Sequence, residues 1–353
     1  MPKKILFITH QLTRTGAPQV FLDMVLCCKR AGHNVLVISL ADGEARGDWE
    51  KAGIDVTVMP QIAKIADQII PIFKRFDHIV LNTLVCIDII PVCITAGVKS
   101  IWWIHEHENY FEYYKNILLS EDELGNNVRV LGVSPVTLRL LREYAGYKRA
   151  ELLPFCVPDS AVDIDTKIGD RTPKKFLCIG VYAFVKGQDI LCAAIEKLPD
   201  EVRKQCCFEF YGDRNEVDAA VYEPLHLIEQ KYVEVTICDA VPHKDMLKRI
   251  EEADYLIIPS RKEPMPTVAA EAMMLKTVCV ISDICGVTEY LSDGINALFF
   301  RSEDADALSR RICDSVCIDA KDYKRMALAA RKIYEEEFSE EVFSLRVRKL
   351  FEQ

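Results

Sequence analysis

The chain has 353 residues, a length that suits two domains of ordinary size. Half of the residues are hydrophobic and 28% are charged, which supplies a sizeable core and excludes bulk disorder. A formal charge of −10, with both halves on the acidic side, excludes a general nucleic-acid binder and a polybasic anchor.

The start, MPKKILFITH, is too short and too soon interrupted for a signal peptide, and no run reaches the ~18 apolar residues of a spanning helix. The 14 cysteines are scattered through apolar runs and form no CxxC pair, so reduced buried thiols are expected rather than a disulfide framework. These features predict a soluble, intracellular chain in the cytoplasm.

The first half repeats one rhythm of a short β-branched run, a turn and a helical pattern. Strands are predicted at 4–10 (KILFITH), 34–40, 55–60, 78–83, 100–106 and 127–134. Between most of them lie apolar residues at helical spacing, as in VFLDMVLCCKRAG (20–32). Near-continuous apolar strands alternating with helices predict a parallel sheet covered on both faces. A polar stretch after ELLPFCVPD reads as a linker at 161–173.

The rhythm restarts with strands at 175–180, 207–213, 233–239, 254–260 and 277–283, and the tail from about Ser339 is helical. The expected fold is α/β: two doubly wound Rossmann-like domains, 1–160 and 174–338, facing a central cleft. Ligands of such sheets sit at the carboxyl ends of the strands.

Residues 261–273, RKEPMPTVAAEAM, occupy such a place. Glu263 falls in the loop after the strand DYLIIPS, and the small-residue run after Pro266 starts a helix with proline in its first turn. The backbone N–H groups of Thr267, Val268 and Ala269 would then be free to cradle a phosphate, with the helix dipole behind them. Glu263 and Glu271 flank that cradle, and carboxylates accept well from vicinal diols. A sugar at each end of a diphosphate, a nucleotide sugar, matches. Spacing alone leaves a solvated glutamate pair beside an ordinary turn as the alternative.

The same stretch resembles the E-x7-E element of retaining glycosyltransferases of family 4, which have the GT-B fold. The likeness runs along most of the chain in family order. THQLTRTGAP (9–18) is similar to the family's glycine loop, WWIHEHE (102–108) to its strand ending in His-Asp or His-Glu, and VSPVTLRLLREYAG (133–146) to its Ser-led helix. LLPFCVPD resembles its Pro-x-Gly-x-x-Asp segment and GVYAFVKGQD (180–189) its phosphate loop. The runs on either side of the E-x7-E match as well. Pro-Met-Pro in place of Gly-Phe-Gly is like enzymes that assemble bacterial surface polysaccharides.

The resemblance implies roles position by position. Glu271 would hold the ribose hydroxyls, Glu263 the hydroxyls of the transferred sugar, and Lys186 the diphosphate leaving group. Backbone groups near Gly16, Thr267 and Val268 would share that charge, and His105 would contact the donor sugar or orient the acceptor. Domain closure would exclude water, and the last helix, 339–353, would return to the first domain. No cofactor and no metal are implied. The partners would be a UDP- or GDP-sugar and a glycan or lipid-linked acceptor, with peripheral contact to the inner face of a membrane and oligomerisation open.

Bland readings stand beside these. Lys186 could be a surface lysine, and His105 with Glu106, His107 and Glu108 could be a partial metal cluster, although alternate strand residues face opposite ways. The aromatic residues Trp102, Trp103, Tyr110, Phe111, Tyr113 and Tyr114 could be core, an acceptor platform or a membrane contact.

The sequence departs from the family at three places: Val181 stands where an arginine usually precedes the phosphate lysine, Cys156 where glycine is usual, and Asp239 at another glycine. Arg14 or Arg261 could supply the missing cation. Otherwise the chain would be a catalytically silent partner subunit; a sugar-nucleotide epimerase of the same fold is a third reading.

Overall fold

The computed structural model describes residues 1–161, 172–214 and 217–352 and divides into two compact units. The first comprises Met1–Cys156 and the segment from Glu340 onward; the second is Val157–Ser339. The linker stretch read from the sequence lies largely outside the described residues.

The first unit is built on seven parallel strands: β1 (Lys4–Thr9), β2 (Asn34–Ser39), β3 (Val56–Val58), β4 (His78–Asn82), β5 (Lys99–Ile104), β6 (Val128–Gly132) and β7 (Glu151–Leu152). Their order is β3-β2-β1-β4-β5-β6-β7. The central strand β4, HIVLN, is buried at every position, as expected of a parallel strand covered on both faces. Two-residue β7 has no periodicity to announce it and was not expected.

The helix expected from residue 20 begins earlier and spans Gly16–Arg30. Thr15 is extended at its start and Pro18 lies in its first turn, where the missing N–H costs no helical bond. The segment read as a glycine loop therefore opens the helix itself. The final helix, Glu340–Glu352, belongs to this unit. Phe343 stacks on Trp103 at 6.0 Å, and Phe351 meets His78 edge-on at 5.2 Å.

The second unit carries six parallel strands: β8 (Lys174–Ile179), β9 (Cys206–Gly212), β10 (Val235–Asp239), β11 (Tyr255–Ile258), β12 (Val278–Ser282) and β13 (Leu298–Phe300). Their order is β10-β9-β8-β11-β12-β13. Phe176, Phe208 and Tyr255 stack across the neighbouring strands at 5.1–5.2 Å and anchor the core. In both sheets the order reverses once, between β1 and β4 and between β8 and β11. At such a reversal the helices leave to opposite faces and a crevice opens beyond the carboxyl ends of the strands.

Candidate functional site

In the second unit the crevice is lined by the turn after β8 and the loop after β11. The chain leaves β8 through Gly180 and makes a short 3-10 turn, Phe184–Lys186, before the helix Gln188–Glu196. Gly187 joins turn and helix at φ +71°, and a Cβ there would lie 2.0 Å from the Pro259 carbonyl oxygen. Only glycine fits that approach. Across it, the Arg261 N–H donates to the Val185 carbonyl at 2.8 Å, which ties the two loops together.

This construction brings Lys186 against Glu263. The ammonium donates to the carboxylate, with the side chains 31% and 12% exposed. Burial pulls the Lys186 ammonium down, and the Glu263 charge more than offsets it, so the group stays above its ordinary value. The bland reading of Lys186 as a free surface lysine does not hold.

Arg261 is committed elsewhere. Its guanidinium makes a bidentate pair with Asp189 (2.8 and 2.6 Å), reaches Glu303 at 3.0 Å and the Phe184 carbonyl at 2.7 Å, and lies 3.9 Å over the Phe184 ring. It staples the turn that carries Lys186. Arg14 is likewise paired, with Asp48 at 2.8 Å. Val181 is half exposed on the same β8 turn.

Glu271 lies one turn into the helix Thr267–Met274 and is buried, with one oxygen 2.7 Å from His243 Nε2. His243 begins the helix His243–Glu252 and was not among the candidates; its spacing gives no signal. Thr267 and Val268 open the helix as expected, with Pro266 at the position before its first residue. The Ala269 N–H, expected to be free, donates to the Pro266 carbonyl at 3.1 Å, because the first turn closes tightly.

Gly16 and His105 belong to the first unit. Gly16 is exposed at the start of its helix. His105 follows β5 with its ring 4.3 Å from Trp103, and its enclosed Nε2 has no hydrogen-bond partner among the described residues. Burial lowers its pKa to about 3, and His10, after β1, is lowered to about 4 by the same cause.

Beside it, Glu106 is buried and its oxygens accept from the N–H groups of Leu84 (2.7 Å) and His105 (2.9 Å). Desolvation raises its pKa to about 7 against the pull of those bonds. Sequence reasoning set Glu106 beside His105 only as a partial metal ligand. Among the described residues no group of three or more such side chains converges to hold an ion. Trp102, Trp103 and Phe111 are core, whereas Tyr110 and Tyr113 are exposed. No helix among the described residues is long and apolar enough to cross a membrane.

Residues 163–333 match the family model described as glycosyl transferases group 1, and residues 1–125 match that of glycosyl-transferase family 4. An uncharacterized glycosyltransferase of Methanocaldococcus jannaschii is 22% identical over 50% of this chain and 47% of its own length. A D-inositol 3-phosphate glycosyltransferase of Xylanimonas cellulosilytica is 29% identical over 44% of this chain and 36% of its own. The chain thus spans less than half the length of these curated relatives.

Among solved structures, Anabaena HepE in complex with UDP-glucose is 17% identical with a TM-score of 0.82, covering 99% of both chains. WaaG, a glycosyltransferase involved in lipopolysaccharide biosynthesis, is 15% identical with a TM-score of 0.73 over 98% of both chains. At these identities the likeness shows the fold, two Rossmann-like parallel-sheet domains of GT-B type.

Proposed function

The chain belongs to the family 4 glycosyltransferases, and from that premise we propose that it moves a sugar from a nucleoside-diphosphate sugar to a glycan or lipid-linked acceptor with retention at the anomeric carbon. The donor nucleotide is UDP or GDP, and UDP is favoured by the bound UDP-glucose of the HepE structure. The product belongs to polysaccharide or glycoconjugate synthesis, in keeping with the lipopolysaccharide role of WaaG.

The observation that carries the reading is the Lys186–Glu263 pair at the sheet's reversal point, with Glu271 eight residues on. In the proposed reaction the diphosphate leaves as its bond to the sugar breaks, and Lys186 meets the charge that develops on it. A diphosphate oxygen takes the acceptor hydroxyl's proton on the same face, so the protein positions and stabilises rather than attacks. Glu263 accepts from the sugar hydroxyls and Glu271 from the ribose, where His243 holds it in place. Thr267 and Val268 N–H groups and Gly16 share the phosphate charge, and His105 meets the sugar or the acceptor.

One observation favours a second reading, a catalytically silent partner subunit. Val181 replaces the usual arginine, and both alternative cations, Arg261 and Arg14, are ion-paired within the protein. A thermal-shift screen with UDP, GDP, ADP and their glucose conjugates separates the two, followed by donor consumption for wild type, Glu263→Ala and Lys186→Ala. Nucleotide binding by the wild type, with donor consumption lost in both variants, supports the transferase. A chain whose melting temperature no nucleotide moves is not one.

A further inference from the structure

We propose that Glu106 is a positioning residue of the transfer site: its carboxyl group clamps the backbone N–H groups of Leu84 and His105 and so fixes the Thr83 turn and the His105 ring. The inference rests on the glycosyltransferase reading and adds a residue to which no role has been given.

Thr83 directly follows β4 at φ 73° and ψ 164°, a conformation that a residue with a branched Cβ adopts only when its surroundings impose it. Three contacts do so. Its N–H donates to the Trp103 carbonyl at 2.8 Å, its carbonyl accepts from Trp102 Nε1 at 2.7 Å, and its hydroxyl lies 3.3 Å from His10 Nδ1. The next residue, Leu84, is held by Glu106 Oε1 at 2.7 Å, while Oε2 takes the His105 N–H at 2.9 Å.

One carboxyl group therefore ties the end of β4 to the end of β5, the strand beside it. The carboxyl group is engaged within the fold, by the Leu84 and His105 N–H groups and by the Thr83 hydroxyl, which distinguishes Glu106 from a group that meets substrate. What the clamp presents is His105, with an enclosed Nε2 that has no partner among the described residues and can take a sugar or acceptor hydroxyl. The strained turn lies at the sheet's reversal point, where strain serves to aim a side chain.

The test compares Glu106→Gln, His105→Ala and the double variant, with UDP-glucose as donor and UDP as binding probe. The glutamine amide has one acceptor, so one of the two N–H groups loses its partner. UDP-glucose consumption is expected to fall at least about tenfold in Glu106→Gln. The affinity for UDP, assigned to the second unit, should stay within about twofold. The double variant should be no slower than His105→Ala, the signature of a residue that acts through another. Glu106→Asp, one methylene shorter, gives the same split if the glutamine variant does not fold.

Wild-type turnover in Glu106→Gln, a parallel loss of UDP affinity, or additive losses in the double variant would each overturn the proposal. A wild-type protein that binds none of UDP, GDP and ADP counts against the glycosyltransferase reading instead. The clamp is then decided by hydrogen exchange: faster exchange at Leu84 and His105 in Glu106→Gln upholds it, and unchanged protection sinks it.

Discussion

Lys186 and Glu263 are each other's ion-pair partner, although the proposed reaction assigns one to the diphosphate and the other to the sugar. A donor must therefore exchange the pair: phosphate takes over the ammonium as sugar hydroxyls take over the carboxylate. UDP offers the first exchange without the second, so Glu263 works against product.

Glu263→Gln removes that competition. UDP affinity is expected to rise about three- to tenfold, roughly 1 kcal/mol, by calorimetry. Consumption of UDP-glucose should fall at least about a hundredfold because the sugar loses its carboxylate. Unchanged or weaker UDP binding would show that the pair does not guard the phosphate site.

Val181→Arg restores a cation to the exposed position on the β8 turn. A charge-assisted contact to a diphosphate oxygen is worth about 1.5–3 kcal/mol, so UDP should bind at least about tenfold tighter. UMP, lacking the second phosphate, should gain less. An arginine that changes neither affinity places Val181 away from the diphosphate.

Gly187→Ala tests the construction that holds Lys186. The added methyl meets the Pro259 carbonyl in a left-handed backbone. Strain and clash together should cost about 3 kcal/mol and lower the melting temperature by about 6–12 °C. Gly146→Ala shares the left-handed φ, +68°, but has open space around it, so only the smaller strain cost of about 1 kcal/mol applies. Equal effects at the two sites would refute the close approach.

The first unit should respond to pH in two opposing ways. His10 and His78, both lowered to about 4, and His105, lowered to about 3, bind fewer protons folded than unfolded below pH 6.5. Stability therefore grows as pH rises through that window. Glu106, raised from 4.5 to about 7, binds more protons folded, so its contribution is lost as pH rises from 4.5 through 7. The groups facing it are the Thr83 hydroxyl, Cys86 and Tyr114, with the His105 N–H bonded to it.

Glu106→Gln removes only the opposing part. Its melting temperature should climb more steeply than wild type between pH 5 and 7.5, measured by calorimetry. Parallel curves would mean that Glu106 is not the group titrating there.

How much of this was legible varies with the physics involved. Apolar runs such as HIVLN and VCVIS have one stable use, a covered parallel strand, and their alternation with helices gave the double α/β plan directly. Glu263 and Glu271 stood out because a strand, a turn and a helix start fixed their place. Two-residue β7 was invisible because it carries no period. The pairing of Arg261 with Asp189 was hidden as well, since 72 residues separate them and the local sequence shows only a cation beside a phosphate loop. His243 and Thr83 escaped for a similar reason: their importance comes from tertiary neighbours, and nothing in their local sequence distinguishes them.

The central claim is that the second unit binds a nucleoside diphosphate through Lys186, and titration calorimetry of UDP into wild type and Lys186→Ala tests it most directly. The account expects a wild-type dissociation constant on the order of 10–100 µM and at least a tenfold loss in the variant. Equal affinity in the two proteins, or a wild type that binds none of UDP, GDP and ADP, would contradict it.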